Sequence, residues 1–275
     1  MSLKNLNVTN KIPKTLEIKL NNQRIKKIYK KFEKDLNISE NFIVAVSGGP
    51  DSLALAFLAK IYSIKKGLVA KFLIVDHKLR PDSSKEAIKT QKILKIHHIE
   101  SKILTWVGRK PFKNIQSIAR KKRYELLFSH SDKFKIKNIL LGHHKNDLFE
   151  NFFIRMLRGS GLKGLISLDK EVKINGKNLL RPLIDEKKED LRFIAKKVFN
   201  FYVNDPSNED KKYLRTQIRK LIEDLQKKGL DQKKLGITIK NLKYSNNVVE
   251  HYVSENIKKN TFFSLKRKKL ILKNE

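Results

Sequence analysis

Residues 42–60 read FIVAVSGGPDSLALAFLAK. The apolar run Phe42 to Val46 has the length of a buried strand, and the run from Leu53 has that of a helix. Between them stand only small and turn-forming residues: Ser47, Gly48, Gly49, Pro50, Asp51 and Ser52. At the carboxyl end of a parallel strand such glycines let the main chain approach an anion closely. The helix that follows adds unsatisfied N–H groups and the positive end of its dipole, and Ser47 and Ser52 add hydroxyl donors. A phosphate group is the expected guest. Asp51 is out of place in a pure anion cradle and predicts a divalent cation accompanying the phosphates, as Mg2+ does with nucleotides. The stretch is not GxxxxGK[ST], so it is not the P-loop of kinases and GTPases.

Outward from this point the pattern repeats. Before it, Ile25, Ile28, Tyr29, Phe32 and Leu36 recur at spacings of three and four, which predicts an amphipathic helix from Asn22. After it, strands are predicted at Lys71–His77, Glu100–Val107 and Asn138–Leu141, with helices at 84–97, 114–129, 147–157 and 187–198. Apolar strands alternating with amphipathic helices predict an α/β, doubly wound, mostly parallel sheet covered on both faces. Asp205–Asp210 reads as a turn-rich break. From Lys211 to Glu275 the alternation stops and basic residues outnumber acidic ones 18 to 6, a net of +12, which predicts a basic helical extension. The expected organisation is a basic leader over 1–21, a catalytic domain over 22–222 and an extension over 223–275.

The whole-chain balance restricts function. No apolar run approaches the roughly 20 residues that span a bilayer. The first twenty residues contain neither a signal-peptide core nor the arginines of a transit peptide. A soluble cytoplasmic protein without a membrane partner is expected. With no cysteine, the chain can form no disulfide, zinc–thiolate site or thiol nucleophile. A formal charge of +34 on 275 residues makes polyanions natural partners. Part of that excess reflects the codon bias behind 50 lysines and abundant Ile and Asn; the 12 arginines, planar bidentate readers of phosphate, are more informative.

The SGGPDS motif is the signature of the N-type ATP pyrophosphatases, the PP-loop family, which cleave ATP between the α and β phosphates. Five further stretches narrow the resemblance: VDHKLRPDSSKEA (75–87), NIQSIARKKRYELL (114–127), GHHKNDLFENFFIRMLRGSGLKGL (142–165), RPLIDEKKEDL (181–191) and DPSNEDKKYLRTQIRKLI (205–222). In their order they resemble the tRNA(Ile)-lysidine synthetase family over roughly Asn41 to Ile222, and eight of the twelve arginines fall inside them. The resemblance implies adenylylation of the C2 oxygen of the wobble cytidine in tRNA(Ile) with a CAU anticodon. Free L-lysine then displaces AMP.

By the same resemblance Ser47 to Ser52, with Asp76 and His77, hold ATP. Asp147, Glu150 and Arg120 serve catalysis, and Mg2+ binds through Asp51 or Asp147. Arg155, Arg158, Lys163, Arg181, Arg215 and Arg219 meet tRNA or substrate, a solvated surface position being the alternative for each arginine. Asp147 and Glu150 are three apart and share a helix face. The family usually has paired acids where this chain has Asn146–Asp147, and threonine where it has Asn151. His143 and His144 are expected to orient a ring or nucleotide rather than ligate metal. Which carboxylate acts as base, and whether the chain is monomer or homodimer, stays open. Two rivals remain: another PP-loop tRNA-modifying enzyme, though sulfur transfer ordinarily needs the cysteines this chain lacks, and a basic RNA-binding protein with a non-catalytic nucleotide loop.

Overall fold

The computed structural model describes residues 11–109, 111–204, 214–264 and 269–272. Its sheet is built from β1 (Phe42–Val46), β2 (Ala70–Asp76), β3 (Ser101–Thr105), β4 (Asn138–Leu140), β5 (Glu171–Ile174) and β6 (Lys177–Leu180), in the order β3-β2-β1-β4-β6-β5. All neighbours are parallel except β5, which pairs antiparallel with β6 at the edge. The doubly wound, mostly parallel architecture expected from the sequence is therefore present.

Alternation along β1 places its side chains in two cores. Phe42, Val44 and Val46 join the larger cluster, and Ile43 joins a second cluster on the opposite face. The larger core is closed by α1 (Lys14–Leu20), α2 (Gln23–Leu36), α3 (Pro50–Lys66), α4 (Ser83–Ile96) and, further along the chain, the helix at Lys188–Phe199. The opposite face packs Leu73, Leu104 and Ile139 with Leu127 of α5 (Ile115–Phe134). The amphipathic α2 begins where the Asn22 side chain accepts hydrogen bonds from the Arg24 and Ile25 N–H groups. It then buries Ile25, Ile28, Tyr29, Phe32 and Leu36, the residues of the helical spacing.

The remaining helices are α6 (Lys145–Leu157), α7 (Leu162–Leu165), α8 (Lys188–Phe199), α9 (Leu214–Lys227) and α10 (Gln232–Asn260). By contacts the chain forms two compact units: 1–148 with 169–208, and 149–168 with 209–275. The second unit is mainly helical, as its composition predicts, but α10 leads into an unpredicted antiparallel pair, β7 (Thr261–Ser264) and β8 (Lys269–Leu272). The β5–β6 hairpin is likewise absent from the sequence expectation. Its turn is Asn175–Gly176, both at positive φ (50 and 72), a sequence signal that the helix-and-strand alternation around it obscures. The 205–210 break lies outside the described residues.

Candidate active site

β1 and β4 are neighbours, and the chain winds from β1 through β2 to β3 on one side while β4 opens the other. Loops at the carboxyl ends of such a pair diverge and leave a crevice. The loop after β1 is organised around Ser52, whose hydroxyl accepts hydrogen bonds from the Ser47 N–H and the Ser47 hydroxyl (3.1 Å each) and donates to the Gly49 carbonyl (2.9 Å). Ser52 is thus engaged in shaping the turn. Gly48 has φ +83, and a Cβ there would lie 2.6 Å from Thr90 Oγ1 and 2.9 Å from Val203 Cγ2. Only glycine fits, and the Val203 N–H locks the turn by donating to the Gly48 carbonyl at 2.9 Å. Gly49 caps α3 and Pro50 occupies its first turn, where a missing N–H costs nothing.

Opposite this turn, the loop after β4 brings His144 between two carboxylates. His144 Nε2 lies 3.5 Å from Asp51 Oδ2 and 3.5 Å from Asp147 Oδ2. Its Nδ1 accepts the Asn146 N–H at 3.2 Å, which directs the Nε2 proton toward the two acids. Asp147 also accepts the His144 N–H at 2.9 Å, so it caps the start of α6 as well as facing the crevice. Burial raises the Asp51 carboxyl pKa above 3.8; His144 opposes this, Asp147 reinforces it, and Lys188 and Arg192 oppose it. Asp51 Oδ1 is buried without a hydrogen-bond partner. An orphaned carboxylate oxygen beside an anion cradle fits a cation carried by phosphates. Among the described residues no group of three or more His, Asp or Glu side chains is arranged to hold a metal, so such an ion would take its other ligands from phosphate oxygens and water.

Asp76, at the end of β2, is buried and already occupied. Its carboxylate accepts from the Lys78 N–H (2.9 Å), Ser83 hydroxyl (2.9 Å) and Ser84 hydroxyl (2.6 Å). Burial alone would raise its pKa, but these bonds and the Lys78 charge bring it below the usual value. Asp76 therefore fastens the turn that starts α4. His77 meets Trp106 edge-on and accepts from Arg123 Nε at 3.4 Å.

Arg120 is exposed over the ring of its neighbour Tyr124, 5.3 Å from the centroid. Arg181 is 4 % exposed, donating to His143 Nδ1 (3.2 Å) and the Asp169 carbonyl (2.7 Å). Burial pulls its pKa down, and contact with Tyr124 works against that. Expected as a substrate contact, Arg181 stands as a buried strut tying the loop after β4 to Asp169, just ahead of β5.

The second unit holds Glu150, whose 3 % exposed side chain is clasped by two arginines. Arg215 Nε donates to Oε2 at 2.5 Å and Arg219 Nε to Oε1 at 2.6 Å. Asp147 and Glu150 share α6, but Asp147 belongs with Asp51 and His144 in the first unit, and Glu150 belongs with Arg215 and Arg219 in the second. Arg155 is half-buried, Arg158 is exposed after the end of α6, and Lys163 is exposed in an ion pair with Glu250 at 2.9 Å.

Further contributors were not expected from the sequence. A Cβ on Gly142 would lie 3.1 Å from the Ser52 backbone, so this glycine sets how closely the two loops meet. Thr90 walls in Gly48, and Lys188 and Arg192 of α8 direct positive charge at Asp51. Gly142 opens one of the motif stretches and Lys188 lies in another, signals that could have found them; Thr90 and Arg192 lie in ordinary helical stretches that carry no local signal.

Sheet order, the SGGPDS turn at the switch point and the helix start behind it define an α/β nucleotide-binding domain of the adenine nucleotide alpha hydrolase-like kind. More narrowly, the chain belongs to the PP-loop domain family, whose family model matches residues 19–225. A tRNA(Ile)-lysidine synthase of Orientia tsutsugamushi is 40% identical over 182 residues, 66% of this chain and 41% of that protein. One from Rhodopseudomonas palustris is 34% identical over 203 residues, 73% of this chain and 59% of that protein. The chain thus spans about half the length of the curated relatives it matches. Among solved structures, the U34-tRNA thiolase NcsA from Methanococcus maripaludis with its [4Fe-4S] cluster superposes with a TM-score of 0.65 at 19% identity, over 83% of this chain and 79% of that one, a likeness of fold. No helix among the described residues is long and apolar enough to cross a membrane.

Proposed function

We propose that this chain is an ATP-dependent carbon–nitrogen ligase that joins free L-lysine to C2 of the wobble cytidine of tRNA(Ile) with a CAU anticodon. The observation that carries this reading is the preformed Ser47–Ser52 turn facing Asp51, His144 and Asp147, in a chain whose curated relatives are tRNA(Ile)-lysidine synthases. In this reading residues 22–222 carry the chemistry and the basic 223–275 serve the tRNA.

The chemistry follows from the electrophile. A C2 carbonyl conjugated into a pyrimidine is unreactive, so its oxygen first attacks the α-phosphorus of ATP and pyrophosphate leaves. The Gly48–Gly49 backbone and the start of α3 receive the charge that develops on the departing pyrophosphate. Asp51, with its unpartnered Oδ1, would hold Mg2+, which would supply charge neutralisation on the phosphates. The lysine ε-amine then attacks C2 and AMP departs with the C2 oxygen. An unperturbed lysine amine has a pKa of about 10.4, so roughly one in a thousand is neutral near pH 7 and a carboxylate must receive its proton. Asp147 is suited to that role by its place at the crevice, where the His144 N–H groups hold its carboxylate in position. Glu150, with both oxygens taken by arginines, acts as a positioning residue.

The test is to incubate the protein with ATP, lysine and tRNA(Ile) transcript, then to analyse the anticodon cytidine by mass spectrometry. Lysine attached to that cytidine, with AMP and pyrophosphate as co-products, supports the reading; ADP and phosphate as main products would overturn it.

A further inference from the structure

At the carboxyl end of β3 the chain leaves the sheet through Trp106, whose N–H donates to the Asp76 carbonyl at 2.9 Å. Beside it lies a cavity of about 470 Å³ lined by Trp106, Arg109, Pro111, Phe112, Ile118 and Lys122. Of its lining residues Trp106 is 6 % exposed and Phe112 90 % exposed. Among the described residues that line it none is acidic. Lys122 makes an exposed ion pair with Glu125, the kind of contact a phosphate displaces easily. The exposed first turns of α5 add Arg120, Lys121 and Arg123. The cavity opens on the same edge of the sheet as the nucleotide turn, since β3 lies two strands from β1.

We propose that this cleft binds an unpaired nucleobase of single-stranded RNA, stacked on Phe112 over Trp106, with its flanking phosphates on Arg109 and Lys122. The inference rests on the RNA-modifying reading above and adds a recognition site to it. Aromatic surface next to cations is what a splayed base and its backbone require, because every base has a stackable face and every linkage a charge. Duplex RNA buries its base faces and would offer only phosphate. Free lysine is a cation and would be repelled by the lining.

Trp106 is the only tryptophan in the chain, so its fluorescence reports on the cleft directly. An RNA oligonucleotide with the anticodon-loop sequence should quench it saturably, and a blunt RNA duplex of equal charge should do so far less. Phe112→Ala, at an exposed position that does not endanger the fold, should weaken the oligonucleotide by on the order of 5- to 100-fold and leave ATP affinity within about twofold. Phe112→Tyr should restore binding. Equal quenching by duplex and single strand would reduce the cleft to a phosphate patch and overturn the proposal, as would a Phe112→Ala variant that binds the oligonucleotide like the parent. The outcome is separable from the activity: lysidine formed by a chain indifferent to Phe112 removes the cleft alone, and stacking without lysidine removes the activity alone.

Discussion

Gly142 lies against Ser52: a Cβ at position 142 would sit 3.1 Å from both Ser52 Cα and Ser52 N, and 3.2 Å from the Asp51 carbonyl carbon. The neighbours are backbone atoms at the start of a helix, so they cannot turn aside as a flexible side chain would. The loop after β4 is therefore seated directly on the nucleotide turn, and the spacing of the crevice depends on a missing methyl group. Gly142→Ala should force the two loops apart and weaken ATP binding by at least tenfold, with a stability loss of about 1–3 kcal/mol typical of overpacking. Isothermal titration and thermal melts would measure both.

Asp51 supplies a pH prediction. Its folded pKa is raised above 3.8, chiefly by burial, so the native protein binds this proton more tightly than the unfolded chain does. Stability from this group therefore falls as pH rises from 3.8 through the raised value, and the charged side chain is a net cost at neutral pH. Asp51→Asn should melt higher than the parent at pH 7 without nucleotide, by roughly 2–4 °C for each kcal/mol relieved. The gain should shrink as pH falls toward 3.8, and ATP cleavage should be lost. A variant that melts lower at pH 7 would contradict the burial argument.

Asp76 has the opposite sign. Its pKa is depressed by Ser84, Lys78 and Ser83 despite burial, so its contribution is present above the unfolded value of 3.8 and disappears as pH falls through the lower folded value. Asp76→Ala strands three donors and should cost about 2–4 kcal/mol at pH 7, less in acid. Denaturant unfolding at two pH values would detect the difference.

The two carboxylates of α6 separate by half-reaction. Asp147→Asn, if Asp147 receives the proton of the attacking amine, should accumulate adenylylated tRNA at neutral pH and recover partly as pH rises. Glu150→Gln should instead loosen Arg215 and Arg219, lowering tRNA affinity and both half-reactions together with no rescue by pH. Quench-flow analysis of the adenylylated intermediate distinguishes the two patterns. Accumulation of that intermediate in Glu150→Gln would return Glu150 to the role of base.

The charge of the extension can be tested without deleting it. Leu235 and Ile239 are buried on α10, so truncation would confuse lost charge with lost core. Lys233, Lys234 and Lys240 are exposed on the same helix. Changing all three to Gln should flatten the log–log salt dependence of tRNA affinity by about 0.7–0.9 for each that contacts phosphate. An unchanged slope would leave the charge to composition.

Local chemistry makes much of this protein legible in its sequence. The strand-turn-helix of 42–60, the α2 spacing and the alternation up to Leu141 each follow from which residues can be buried at a given period, and that information is carried by neighbours in the chain. Asn175–Gly176 announces the β5–β6 hairpin, yet the helices and parallel strands on either side carry the stronger period and mask it. Partner choice at the site is another matter. Asp147 and Glu150 are one helical turn apart and equivalent by spacing, yet one meets His144 and the other Arg215 and Arg219, which lie 65 and 69 residues beyond Glu150. Arg181 has the motif of a substrate contact, and its burial against His143 and Asp169 makes it a strut. Sequence by itself determined the Ser47–Ser52 turn, because the two glycines, the helix-starting proline and the serine that fastens it are all contained in six consecutive residues. Only the tertiary structure decided what each charged side chain does, because a charge is paired, buried or exposed according to groups that sequence distance does not predict.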